Sequence, residues 1–113
     1  MLSIDASSLF LKDVKKMEAQ GKRMELLSEA IDMLLKEVEI PVQFRDHSLS
    51  GNWKGYRELH IRPDWLLIYK VEYPLLRLAR TGSHRNCFPR LKGNFFLLFI
   101  FISWVETHWS APS

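Results

Sequence analysis

The chain has 113 residues, 47% of them apolar and 26% charged, with a formal net charge of +3. That length holds one small domain, and a composition near the globular average excludes wholesale disorder and fibrous repeats. A single cysteine, Cys87, excludes an internal disulfide and cannot by itself build a zinc cluster.

The N-terminal residues Met1 to Phe10 carry Asp5 and no basic residue ahead of their apolar positions, so they do not read as a secretory signal. Together with the lone cysteine this leads to the expectation of a cytoplasmic protein. Met1 to Asp5 has the length of a short edge strand. Ser7 and Ser8 suit a helix N-cap, because a serine hydroxyl accepts from an orphaned backbone N–H. Leu9, Phe10, Val14 and Met17 then recur at helical spacing, with Lys12, Asp13, Lys15, Lys16 and Glu18 expected outward, and Gly21 can close the helix. A second helix follows from Leu27, Ala30, Ile31, Leu34 and Val38, with Glu25, Glu29, Asp32 and Lys36 on its other face. Pro41 excludes its continuation.

Beyond Pro41 the pattern becomes that of strands. A loop over 46–52 leads into Tyr56 to Ile61, in which Tyr56, Glu58 and His60 share one face and Arg57, Leu59 and Ile61 the other. Pro63-Asp64 makes a turn. Trp65 to Val71 is a dense β-branched and aromatic run, predicted as a strand buried on both faces. Glu72-Tyr73-Pro74 turns into a third strand over Leu75 to Arg80. Two helices followed by an antiparallel meander make an α+β domain.

Charge is unevenly placed. Six Lys/Arg meet eight Asp/Glu from Met1 to Glu39, whereas nine meet four from Pro41 to Arg90, where His47, His60 and His84 also lie. Any polyanion contact therefore belongs to the middle segment. No C-x-x-C, H-E-x-x-H or carboxylate cluster offers a divalent-metal site, and no phosphate-binding glycine loop or nucleophile elbow is present. What remains is acid–base chemistry beside cations. RNA cleavage suits that inventory: the substrate's 2′-hydroxyl is the nucleophile, imidazole moves protons near neutral pH, and a guanidinium forks two phosphate oxygens. Blander readings stand beside it. A loop histidine is usually solvated, Arg80 can pair with Glu58 or Asp64, and Trp65 and Tyr69 are more often core than stacking platforms.

Three stretches then carry a resemblance: Asp46-His47-Ser48-Leu49-Ser50-Gly51-Asn52-Trp53-Lys54-Gly55-Tyr56-Arg57, Pro63-Asp64-Trp65-Leu66-Leu67-Ile68-Tyr69-Lys70, and Arg80-Thr81-Gly82-Ser83-His84. In order and spacing they resemble the YafQ branch of the RelE/ParE toxin superfamily, over about Leu9 to Phe88. The resemblance implies a RelE-like fold, two N-terminal helices packed on a small, mainly antiparallel sheet. It implies a ribosome-dependent endoribonuclease, the toxin of a type II toxin–antitoxin pair, working on mRNA without metal or other cofactor. The implied partners are a cognate antitoxin, through which alone DNA is bound, the ribosome and mRNA; no membrane is expected. The family's site carries over to His47, His60, Asp64, Arg80 and His84. In that scheme His84 is the general acid for the 5′-oxygen, Asp64 or His60 activates the 2′-hydroxyl, and Arg80 holds the scissile phosphate. His47 contacts the phosphate or tunes a neighbour. Trp65 or Phe88 stacks on a base, and Lys54, Arg57, Arg62, Lys70, Arg77 and Arg85 form a basic strip toward RNA. Relatives on the ParE side share the scaffold yet bind gyrase without nuclease chemistry, and an inactive antitoxin-binding relative is a further alternative.

Two features depart from the family. Met1 to Asp5 is a poor version of the expected first strand, which points to a short sheet edge. The family also normally stops soon after the position of Phe88, so the chain divides into a toxin domain over 1–90 and an atypical apolar extension over 91–113. Within it Phe95 to Val105 is almost unbroken apolar sequence, too short for the roughly 20 residues a membrane helix needs. Packing on the domain or another subunit, an interfacial anchor, and a segment awaiting a partner surface are its three readings.

Overall fold

A computed structural model describes residues 1–89, so the apolar extension lies outside the described residues. The elements run β1 (Ser3–Ala6), α1 (Ser8–Ala19), α2 (Met24–Leu35), β2 (His47–Ser48), β3 (Arg57–Arg62), β4 (Trp65–Glu72), β5 (Leu75–Gly82) and α3 (His84–Cys87), with single 3-10 turns at Val42–Phe44 and Gly51–Trp53. The five strands form one sheet in the order β1-β5-β4-β3-β2. β1 runs parallel to β5, and the other pairs are antiparallel. The first strand thus forms over four residues despite its weak pattern. Its start is fastened from both sides: the Leu2 N–H donates to the carbonyl of Leu35 at the end of α2 (3.0 Å), and the Ser3 N–H to Pro74 (2.8 Å).

Ser7 caps α1 as its position predicts. Its hydroxyl accepts from the Phe10 N–H at 3.0 Å and donates to the Ala79 carbonyl at 2.8 Å, so the cap also fastens α1 to β5. Gly21, at φ +76°, follows the last turn of α1. Two local expectations are corrected. Asp13, placed outward by periodicity, is 5% exposed. The α2 pattern reached Val38, yet the helix stops at Leu35, Glu37 adopts φ 55°, and Val38 is 48% exposed. Hydropathy at one position does not hold a helix together once the backbone has turned left-handed.

The core lies on both sides of the sheet. Phe10 and Met17 of α1 and Leu27, Ala30 and Leu34 of α2 pack against Leu59, Ile61, Leu67, Leu76 and Leu78. On the opposite face Trp53, Tyr56, Leu66, Ile68, Ala79 and Cys87 form a second, smaller cluster, with Phe88 against it. Alternate residues of β4 therefore enter different cores, which is why that strand reads as continuously apolar. Burial pushes the Cys87 thiol up to about 12, so it stays protonated and shielded. Cys87 is expected to resist iodoacetamide in the native protein and to react after denaturation, as read by mass spectrometry. Among the described residues no helix is long and apolar enough to cross a membrane.

Candidate active site

β3 ends, β4 begins and β5 ends at one edge of the sheet, and the candidate residues gather there. Glu58 and His60 are two apart on β3, so they share a face, and β2 brings His47 directly opposite Glu58. Glu58 is only 6% exposed. Its Oε1 accepts from His60 Nε2 at 2.8 Å and lies 3.7 Å from His47 Nε2. The two imidazoles stack with centroids 5.9 Å apart and planes at 29°. His47 Nδ1 lies 2.6 Å from the carbonyl oxygen of Arg45. That oxygen can only accept, so Nδ1 carries a proton, and Nε2 is turned toward Glu58. Directly after His60 the register shifts, and Arg62 rather than Ile61 stands opposite Trp65. A bulge of this kind bends a strand and re-aims its side chains.

The loop that carries His47 is clasped by its neighbour. Asp46 accepts from Arg57 Nη2 at 3.1 Å and from the Tyr69 hydroxyl at 2.5 Å, while Arg57 Nη1 donates to Ser48 Oγ at 2.9 Å. Asp46 beside it raises the Arg57 guanidinium, and burial, reinforced by Asp46, raises the Tyr69 phenol, so the clasp keeps both protons. Arg57, expected to bind substrate, thus holds the His47 loop.

His84 sits at the other side of the same edge. His60 pairs with Leu66, and Leu66 with Gly82, two residues before His84. With about 4.8 Å between strands, the His60 and Gly82 backbones lie roughly 10 Å apart. Ser83 caps α3 by accepting from Asn86 N–H, and Asp64 accepts from His84 N–H at 3.4 Å, tying the β3–β4 turn to α3. The exposed His84 ring rests against Phe88 at 5.0 Å. Phe88 meets the edge of Trp53 at 6.0 Å, so an aromatic stack buttresses the histidine. Asp64, Ser83, His84, Arg85 and Phe88 line one open groove.

Gly82 makes the turn from β5 into α3 possible. It sits at φ +137°, and a Cβ there would meet Asn86 Nδ2 at 2.7 Å. Gly82→Ala is expected to cost several kcal/mol, since backbone strain of about 1–3 kcal/mol adds to the clash. It would also dislodge His84, lowering cleavage along with the urea midpoint; wild-type stability would contradict this reading.

Arg80 is placed differently from the sequence-based expectation. It is 6% exposed, with Nε 2.7 Å from Asp13 Oδ2 and Nη2 3.0 Å from Oδ1. The same carboxylate accepts from Thr81 N–H and from Asn86 Nδ2, both at 3.1 Å. Two nitrogens of the Arg80 fork, Nε and Nη2, are thus engaged by Asp13 of α1. Trp65 is 4% exposed, lies in the helix-side core, and its indole N–H donates to Thr81 Oγ1 at 3.0 Å. Phe88 is half-buried. Of the basic strip, Arg77 is held by Asp5 and Glu72, while Lys54, Arg62 and Arg85 are exposed.

Comparison with known proteins shows the family. The model of the YafQ family, bacterial toxins of type II toxin–antitoxin systems, matches residues 2–89. The chain belongs to the YafQ family of toxins. An mRNA interferase toxin YafQ from Escherichia coli K12 is 42% identical over 86 residues, covering 75% of this chain and 94% of that one. A copper-bound mutant toxin from Helicobacter pylori superposes with TM-score 0.75 at 41% identity, over 78% of this chain and all of its own. YafQ in the E. coli DinJ-YafQ complex superposes with TM-score 0.73 at 40% identity, over 78% and 99%. The RelE-like arrangement of two N-terminal helices and a mostly antiparallel sheet is the fold of these YafQ structures. Within this site, sequence reasoning passed over two carboxylates. Glu58 was legible as the face-mate of His60; Asp13 had no sequence signal, because its partner Arg80 is 67 residues away.

Proposed function

We propose that this toxin is an mRNA interferase, a ribosome-dependent endoribonuclease that attacks through the substrate's own 2′-hydroxyl. The reaction needs one proton taken from that hydroxyl, one given to the departing 5′-oxygen, and neutralisation of the pentavalent phosphorus. The observation that carries this reading is the pairing of His60 with buried Glu58 at the sheet edge that also holds His84. Glu58 keeps a proton on His60 Nε2, leaves Nδ1 to accept the 2′-hydroxyl proton, and stabilises the imidazolium that results. His84, exposed and backed by Phe88, is the acid for the 5′-oxygen. Asp64 holds the His84 backbone and is a positioning residue. The phosphate falls to exposed Arg85, in the His84 groove, with His47 beside the base. Arg80 acts through the Asp13 lock that places β5 against α3. Phe88 provides the stacking face, an interaction worth about 1–3 kcal/mol per base.

Lys54 and Arg62 extend the cationic surface toward ribosomal RNA, which supplies substrate orientation. The cognate partner is an antitoxin, as DinJ is for the E. coli relative. The test is induction without antitoxin, followed by mapping of 5′ ends on cellular mRNA. Codon-phased cuts that disappear in His84→Ala and His60→Ala are expected. Growth arrest with supercoiling defects and intact message would overturn the nuclease in favour of a gyrase-binding toxin.

A further inference from the structure

We propose that Lys16 and Lys22, with Ser83, form a subsite for the phosphodiester that follows the scissile one in the message, on the side of the departing 5′-oxygen. Lys16 of α1, Lys22 of the turn into α2, Asp64, Ser83 and Asn86 line a hollow beside α3. Asp64 and Ser83 also line the His84 groove, so the two depressions adjoin. His60 lines neither, and stands on β3, two strands from Gly82. The hollow therefore continues the groove past the acid and away from the base. This placement rests on the nuclease reading above, which gives the acid to His84 and the base to His60.

Lys16 is aimed before any ligand arrives. The Asn86 amide has one orientation, because Nδ2 donates to Asp13 Oδ1 at 3.1 Å and to the Thr81 carbonyl at 3.3 Å. Its Oδ1 is left to accept, and it accepts from Lys16 Nζ at 3.1 Å. An ammonium has three donors, so two remain for phosphate oxygens. Ser83 Oγ accepts from the Asn86 N–H at 3.1 Å and keeps its own proton to donate.

The charge of the hollow favours an anion. Lys16 and Lys22 are exposed and, among the described residues, neither makes an ion pair with a carboxylate. Asp64 is the opposing charge, and its Oδ1 accepts from the His84 N–H at 3.4 Å. It is outnumbered by the two lysines in the hollow, while Arg85 meets it in the groove. Successive phosphates thus have cations on both sides of the Asp64 rim. The segment that supplies both lysines carries more Asp/Glu than Lys/Arg, so its sequence gave no sign of a polyanion contact. Packing of α1 on β5, through Asp13, brings them to the site.

The test measures affinity of the full chain for ribosomes programmed with a message whose decoded codon and the next carry 2′-deoxy sugars, so that they are not cut. Neutral methylphosphonates replace the phosphates there one at a time. In the wild type, the position 3′ of the scissile phosphate is expected to weaken binding about tenfold, as loss of a charge-assisted contact does. Lys16→Gln, which can still donate to Asn86, is expected to bind the all-phosphate message about tenfold more weakly and to be indifferent to that methylphosphonate. Its slope of log affinity against log salt is expected to be shallower by about 0.7. Lys22→Ala is expected to change binding in the same direction, and Lys16→Arg to recover most of the affinity. Thermal melts near wild type are expected for all three, since both lysines are exposed.

Wild-type binding by Lys16→Gln overturns the subsite. So does an undiminished methylphosphonate effect in that variant, the sign of a contact with ribosomal RNA instead, or coupling only at a phosphate 5′ of the cut. Cleavage of an all-ribose message separates the two readings. Cutting without coupling removes the subsite and leaves the nuclease, whereas coupling without cutting keeps an RNA contact at Lys16 and removes the nuclease.

Discussion

Asp13→Ala is expected to lower stability by about 3–5 kcal/mol, the usual cost of taking one partner from a buried ion pair. The carboxylate it removes accepts from Arg80 Nε and Nη2, Thr81 N–H and Asn86 Nδ2. Truncation leaves the Arg80 guanidinium enclosed without its carboxylate and detaches α1 from both β5 and α3. Because Asn86 lies two residues from His84, cleavage is expected to fall together with the urea midpoint. A double variant, Asp13→Leu with Arg80→Met, is expected to recover part of the stability, since replacing both members of a buried pair by apolar groups is often neutral. It is not expected to recover full cleavage, because Asn86 still lacks its acceptor. A loss under about 1 kcal/mol for Asp13→Ala would mean that the lock is ornamental.

His84→Ala carries the largest expected effect on activity. General acid catalysis by a positioned side chain contributes about 10²–10⁴-fold, so cleavage of ribosome-bound message is expected to drop by that factor. The thermal midpoint is expected to stay near wild type, because the ring is exposed and its removal opens no core cavity. Phe88→Ala is the useful contrast: it removes the ring behind His84 and part of the cluster around Trp53, so both rate and stability are expected to fall. Single-turnover rates on a defined message, measured beside thermal melts, separate the two. His84→Ala cleaving at the wild-type rate would remove the acid from the scheme.

Much of the fold could be read from local pattern. Ser7 caps α1 and Gly21 follows it, the alternation of β3 holds Glu58 and His60 on one face, and the apolar run of β4 is buried on both sides. Each of these depends on neighbours within a few residues, where backbone geometry and period decide the outcome. β1 was legible only as a short, weakly patterned edge strand, because the hydrogen bonds that hold it come from β5 and from the end of α2. The site was legible in its histidines and Asp64, which stand at strand ends and turns. Which of its cations face solvent was not: Arg57, Arg77 and Arg80 look like Lys54, Arg62 and Arg85 in a sequence, yet the first three are held by Asp46, Asp5 and Asp13.

Composition and periodicity by themselves determined the two helices and the three-strand meander, and the motifs carried the resemblance to the family and named the candidate histidines. Tertiary structure alone decided that Asp13 is buried rather than outward, that Arg80 is locked to α1, that Trp65 is core, and that Glu58 joins two imidazoles. The reason is physical. Periodicity is a property of residues a few positions apart, whereas desolvation and the choice of ion-pair partner depend on chains that meet only after folding, here across 67 residues for Asp13 and Arg80.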